Sequence, residues 1–254
     1  MSVVKSRTIR GIRVLTLDNP PVNAISYAVL EELAAAIDAC RDDAAVEGVV
    51  ITGRPDGFAA GADLPSFLTG GMAPADAIRR GVEVFLKVES LPKPVVAAIA
   101  GYCLGGGLEL AMAADLRVAS QDARFGQPEV RLGIIPGWNG TVRLPRLVGV
   151  GIAAEIILTG APMDAERALQ VGLVNRVVEP ALLVDTSINL ARQMANQSPN
   201  AVAAAKRLLA LGATDDARQR ELETVLALME GPDAAEGLTA FVERRRPRFR
   251  EART

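Results

Sequence analysis

The chain has 254 residues, half of them hydrophobic, with a net charge of −2 and no histidine. Its size supports one large domain or a domain with an appendage, and the missing imidazole excludes histidine triads and most zinc sites, leaving carboxylates, Lys, Tyr or Cys for proton transfer at neutral pH. The charge balance gives no reason to expect nucleic acid, no apolar run reads as a membrane span, and two cysteines, Cys40 and Cys103, behind a start without a signal-like core fit a reducing cytoplasm.

Residues 8–18 alternate and are β-branched, which predicts a strand. Asn19-Pro20-Pro21-Val22-Asn23 predicts a loop. Ser26 then reads as the N-cap of a helix through Cys40, with Leu30, Leu33, Ala34 and Ile37 on one face. Residues 46–52 predict a short buried strand. The Gly/Ala-rich segment 54–71 carries Phe58-Ala59-Ala60-Gly61-Ala62-Asp63. A helix over 74–89, a strand over 95–99, a turn at Gly105-Gly106-Gly107, a helix to residue 114 and a strand over 116–119 complete this part. The alternation of strand and helix predicts an α/β fold with buried strands.

After Pro180 helical patterns dominate, over 182–196, 201–211, 216–229 and 234–245. A boundary is expected near Gln197-Ser198-Pro199-Asn200. It divides a core of residues 1–197 from a helical region of residues 198–254. No sequence repeat recurs at a fixed period.

Glu109 is the one charged residue in the run PVVAAIAGYCLGGGLELAMAA. A buried carboxylate costs several kcal/mol, by rough estimate, unless it is partnered or neutral. Glu109 therefore reads either as a catalytic carboxylate or as a glutamate on the wet face of an amphipathic helix. Glu129, in FGQPEVRLGIIPG, reads by itself as an exposed loop glutamate. The three glycines fit a tight turn against a strand, or a close backbone approach to a ligand at a helix N-terminus. No P-loop Lys-Ser/Thr follows them, so an oxyanion suits that helix start better than a phosphate.

Taken in order, these segments resemble the enoyl-CoA hydratase/isomerase (crotonase) family over essentially the whole chain. The matching stretches are Asn19-Pro-Pro-Val-Asn-Ala-Ile, Phe58-Ala-Ala-Gly-Ala-Asp, Gly105-Gly-Gly-Leu-Glu-Leu-Ala, Phe125-Gly-Gln-Pro-Glu-Val, Leu132-Gly-Ile-Ile-Pro-Gly, Leu158-Thr-Gly, Ala168-Leu-Gln-Val-Gly-Leu-Val and Ala240-Phe-Val-Glu-Arg-Arg. The wording is especially similar to the hydratase part of bifunctional β-oxidation enzymes. The resemblance implies a spiral of ββα units, with a C-terminal helical region that makes trimers, often paired into hexamers.

The resemblance also implies a mechanism. The N–H groups of Ala62 and Gly106 form an oxyanion hole for a thioester. Glu109 orients and deprotonates a water that attacks Cβ, protonated Glu129 delivers a proton to Cα, and the Gly137 backbone holds the water or Glu129. Coenzyme A lies along Ala60, Ala62, Asp63 and Leu64, and Phe241 and Arg244 reach the nucleotide of a neighbouring subunit. The expected partner is an acyl-CoA thioester, with no cofactor beyond the coenzyme A of the substrate, and the expected reaction is syn hydration of a trans-2-enoyl-CoA.

Two departures stand out. Trp138-Asn139 replaces the small residues often found there, which narrows or lines the acyl pocket. Leu64-Pro65 is less polar than the usual continuation. The alternatives are Δ3-Δ2-enoyl-CoA isomerisation on the same scaffold and a non-catalytic acyl-CoA-binding relative. Few aromatics and a negative charge speak against an RNA-binding relative.

Overall fold

The structure is a computed structural model that describes residues 2–69, 74–211 and 215–249. It opens with β1 (Val4–Ile9) and β2 (Ile12–Leu17), an antiparallel hairpin with Ile9 opposite Ile12. The single strand expected over 8–18 is thus two strands. Arg10 and Gly11 both take positive φ, 49° and 79°, the turn geometry that suits a two-residue hairpin. The alternating pattern runs on through this turn and hides it.

The helix α1 (Tyr27–Asp42) starts at Ser26, whose hydroxyl accepts from Val29 N, and it buries Leu30, Leu33, Ala34 and Ile37 as expected. Next come β3 (Gly48–Thr52), β4 (Gly57–Ala59), α2 (Leu64–Thr69) and α3 (Pro74–Glu89). They are followed by β5 (Val95–Ile99), β6 (Tyr102–Leu104), α4 (Gly106–Ala113), β7 (Leu116–Ser120) and β8 (Arg124–Gly126). A 3-10 helix at Pro128–Leu132 leads to α5 (Gly140–Val148), α6 (Val150–Thr159), β9 (Met163–Asp164), α7 (Ala165–Gln170) and β10 (Arg176–Val178). Four helices follow: α8 (Leu183–Ala195), α9 (Pro199–Leu211), α10 (Asp215–Met229) and α11 (Pro232–Val242).

Two sheets result. One has the order β1-β2-β3-β5-β7-β10, and the other the order β4-β6-β8-β9. Three strands of the first sheet are each followed by a short strand of the second: β3 by β4, β5 by β6, β7 by β8. Successive members pair in parallel in both sheets. The chain therefore winds as a spiral of strand–strand–helix units, although no sequence period announces them.

The central strands β3, β5 and β7 are buried on both faces, as parallel strands usually are, while the edge strands β1 and β10 are partly exposed. Val49, Ile51, Val95, Ala97 and Ile99 join the core under α1 and α3. Their alternate neighbours Val50, Val96 and Ala98 join a second core with Leu183, Ile188 and Ala191 of α8. This split follows the two-residue period of a strand. Beyond α8, the Lys206 ammonium bonds Asp115 Oδ2 and Lys93 O, each at 2.7 Å, tying α9 to the foot of β7. Among the described residues no helix is long and apolar enough to cross a membrane.

Candidate active site

The first wall of the site is built by the loop between β2 and α1. Asn23 is buried, at a φ of 53°. Its amide nitrogen donates to Leu17 O at 3.0 Å and Phe58 O at 2.9 Å, and its oxygen accepts from Asn19 N at 2.7 Å. That clamp ties the loop to the ends of β2 and β4. Ile25 then brackets Ala62: Ile25 N donates to Gly61 O at 2.7 Å, and Asp63 N donates to Ile25 O at 3.0 Å. In such a bridge the intervening residue turns its own N–H away. Ala62 N–H is left facing the N-terminus of α4.

Gly105 precedes α4 with φ 50° and ψ −127°, a conformation that favours glycine. Its N–H donates to Gly126 O at 2.9 Å, which locks the turn to β8. Gly106 opens the helix. A side chain on Gly106 would come 3.4 Å from Ala62 N, and one on Gly61 would come 3.8 Å from Gly106 N. The two N–H groups thus border one space. Among the described residues neither donates to a protein acceptor.

One turn into α4, Glu109 is 2 % exposed. Its Oε1 accepts from Trp138 N at 2.7 Å and Gly140 N at 2.8 Å. Arg143 fastens the same segment, donating to Trp138 O at 2.7 Å and to Glu89 Oε2 at 2.6 Å. Glycine is needed at position 140 for close approach, since a Cβ there would lie 2.9 Å from Glu109 Oε1 and 2.8 Å from the Gln127 amide.

Gln127 is fully buried. With its amide nitrogen turned toward Glu129 it stands 3.0 Å from both carboxylate oxygens. Glu129 is half-buried in the 3-10 helix, and a side chain on Gly105 would meet its Oε1 at 2.8 Å. The glycine turn, the two glutamates and the pair of free N–H groups therefore converge on one place.

Burial is the main influence on both carboxyl groups. Desolvation pushes Glu109 up to about 7, against the two backbone N–H donors, with the charge of Glu129 adding to the rise. Desolvation also raises Glu129. Two carboxylates that repel in a dry site do not both ionise readily, so the pair holds a proton well above the ordinary carboxylate range. Preorganised N–H donors beside a shared proton are the equipment for stabilising an oxyanion while a proton moves.

The remaining sequence candidates have these places. Ala60 and Leu64 flank Ala62 and Asp63 on the same half-buried loop, and the Asp63 carboxylate accepts from Ser66 N at 3.2 Å, capping α2. Gly137 is exposed, and the N–H groups on Glu109 belong to Trp138 and Gly140. The Trp138 ring is buried beside Gly106. Phe241 and Arg244 are exposed at the end of α11, which packs on α10. Sequence reasoning assigned no role to Asn23, Ile25, Gln127 or Gly140. The signal for Gln127 was a neutral amide two positions before a candidate acid.

Residues 7–252 match the family model described as enoyl-CoA hydratase/isomerase. A probable enoyl-CoA hydratase of Bacillus subtilis is 40% identical over 98% of this chain and 99% of its own. A crotonyl-CoA hydratase of Syntrophomonas wolfei is 40% identical over 94% of each chain. Among solved structures, an enoyl-CoA hydratase from Bacillus anthracis superposes with a TM-score of 0.90 at 36% identity, covering 97% of this chain and 98% of that one.

Proposed function

The chain belongs to the enoyl-CoA hydratase/isomerase family and is an enzyme of the hydratase type, and from that premise we propose that it adds water reversibly to a trans-2-enoyl-CoA. The observation that supports this most is the convergence of Glu109, Glu129 and the N–H groups of Ala62 and Gly106 on one space.

In this reading the thioester oxygen accepts from Ala62 N–H and Gly106 N–H. As water adds at Cβ, the C=C electrons move to the thioester and negative charge gathers on that oxygen. The fixed donors, one of them at a helix N-terminus, stabilise it there. Ionised Glu109 takes one proton from the attacking water, whose hydroxyl bonds to Cβ. Protonated Glu129 gives its proton to Cα. One H and one OH are added to the same face, and the product is a 3-hydroxyacyl-CoA. The proton left on Glu109 and the charge left on Glu129 are the starting state for the reverse reaction, and exchange with solvent resets them. Trp138 N and Gly140 N hold Glu109, and Gln127 orients Glu129.

Coenzyme A would run along the half-buried loop from Ala60 to Leu64. Phe241 and Arg244 would reach it only from a neighbouring copy. Leu226, Met229, Leu238, Phe241 and Val242 are exposed on α10 and α11, an apolar surface that supports assembly into a trimer or a pair of trimers. A single-chain mass in solution would contradict that assembly. Both cysteines are free and buried, in keeping with a reducing, cytoplasmic setting. A short-chain substrate agrees with the crotonyl-CoA hydratase relative, and in this reading the enzyme serves fatty-acid β-oxidation.

The test is crotonyl-CoA in ¹⁸O-water. Hydration predicts loss of the conjugated absorbance with one heavy oxygen on C3 of the product. An isomerase would instead convert a 3-enoyl-CoA to the 2-enoyl form with no label, and a binding-only relative would leave the absorbance unchanged.

A further inference from the structure

The Trp138 indole is built into the site more firmly than the hold on Glu109 requires. The ring is 4 % exposed and sits in notches left by two glycines. A side chain at Gly81 on α3 would come 2.2 Å from its Nε1, and one at Gly106 would come 2.3 Å from its Cζ3. Phe67 and Phe85 meet it edge-on, with centroids 6.2 and 5.2 Å away. The ring thus fills the space between α3 and the start of α4. It cannot swing aside without displacing close-packed neighbours.

We propose that Trp138 is the length stop of the acyl pocket and restricts the enzyme to short, unbranched, apolar acyl chains of roughly four carbons. This deepens the reading of the site as a hydratase and rests on it. The N–H groups of Ala62 and Gly106 fix the thioester carbonyl, and Glu109 fixes the water at Cβ. Trp138 adjoins both anchors, with its main chain on Glu109 and its ring on Gly106. Carbons beyond Cβ leave the reaction centre beside that ring and meet an aromatic wall. Trp138, Phe67 and Phe85 offer no cation to a chain ending in a carboxylate, so such a chain loses hydration without compensation.

The experiment is an acyl-length series on wild type, Trp138→Leu and Trp138→Ala. It is read as hydration of trans-2-enoyl-CoAs of four to ten carbons, and separately as calorimetric Kd for the saturated acyl-CoAs. One methylene in an apolar pocket is worth about tenfold or more. Wild-type kcat/KM should fall at least about tenfold from the four-carbon to the eight-carbon substrate. The smaller side chains should recover at least about tenfold of that ratio, chiefly through KM. If Trp138→Ala fails to fold, the wild-type series and Trp138→Leu carry the test. A wild type that takes ten carbons as readily as four, or variants with an unchanged length dependence, would overturn the length stop. Absence of hydration at every length, with the length limit intact in Kd, would remove the hydratase reading and leave the length stop standing.

Discussion

Trp138 and Glu109 meet through the main chain of one and the carboxylate of the other, with Trp138 N–H donating to Glu109 Oε1 at 2.7 Å. A backbone donor survives any change of side chain short of proline. The carboxylate therefore keeps this donor when the side chain at position 138 is changed.

The pH dependence of the reaction follows from the carboxyl pair. Glu109 is pushed up to about 7 and Glu129 is raised as well. Hydration needs one proton on the pair and one carboxylate free. That state is lost on the alkaline side as the last proton leaves, and on the acid side as a second proton binds. A profile of kcat/KM that is bell-shaped and falls above about pH 7 is expected, and a flat profile from about pH 6 to about pH 9 would contradict it.

Stability should carry the opposite mark of the same group. The carboxyl of Glu109 moves from 4.5 unfolded to about 7 folded. Between those values the folded chain binds more protons than the unfolded one, so stability falls as pH rises through that window and stays lower above it. The cost at pH 8 is about 3 kcal/mol. Glu109→Gln keeps an oxygen for both N–H donors and has no charge to bury. It should melt several degrees above wild type at about pH 8, with the gap closing near pH 5. Equal melting curves at both pH values would show that burial does not strain this carboxylate.

Gly140→Ala tests the positioning of Glu109 without altering either glutamate. The added methyl would come 2.9 Å from Glu109 Oε1 and 2.7 Å from Pro136 Cβ. Displacing a catalytic group by about 1 Å costs on the order of a hundredfold in rate. The expected outcome is a folded protein with kcat reduced by roughly that factor and KM little changed. Wild-type kcat in this variant would show that the approach of Gly140 is not needed.

Several features of the fold and site were legible in the chain, and the rest were hidden for physical reasons. α1 showed itself through Ser26 and its apolar face, and β5 through an uninterrupted apolar run. The second sheet was missed because β4, β6 and β8 have three residues each, too few to display a period. Glu109 stood out as a lone charge among apolar neighbours. Glu129 did not, because its burial comes from contacts distant in sequence. Asn23 reaches Phe58 O across 35 positions, and no local pattern reports such a bond. The hold on Glu109 was likewise unreadable: Trp138 and Gly140 lie 29 and 31 positions away.

Asn23→Ala should show how far the oxyanion wall depends on that clamp. The substitution removes donors to Leu17 O and Phe58 O and a side chain suited to its φ of 53°. A loss of about 2–3 kcal/mol in stability is expected from the buried groups left unpaired. At a temperature where the variant is still folded, kcat should also fall by about tenfold or more, since the loop carrying Ala62 N–H loosens. A stability loss with unchanged kcat would confine Asn23 to a structural role.

The most direct measurement is the rate of crotonyl-CoA hydration by wild type, Glu109→Gln and Glu129→Gln, each confirmed as folded. Both variants keep the shape of the site and remove only its proton transfer. Rapid turnover by wild type with a fall of at least about a hundredfold in each variant is the predicted result. A variant that retains wild-type rate, or a folded wild type that hydrates no 2-enoyl-CoA of any length, would contradict the two-glutamate hydratase.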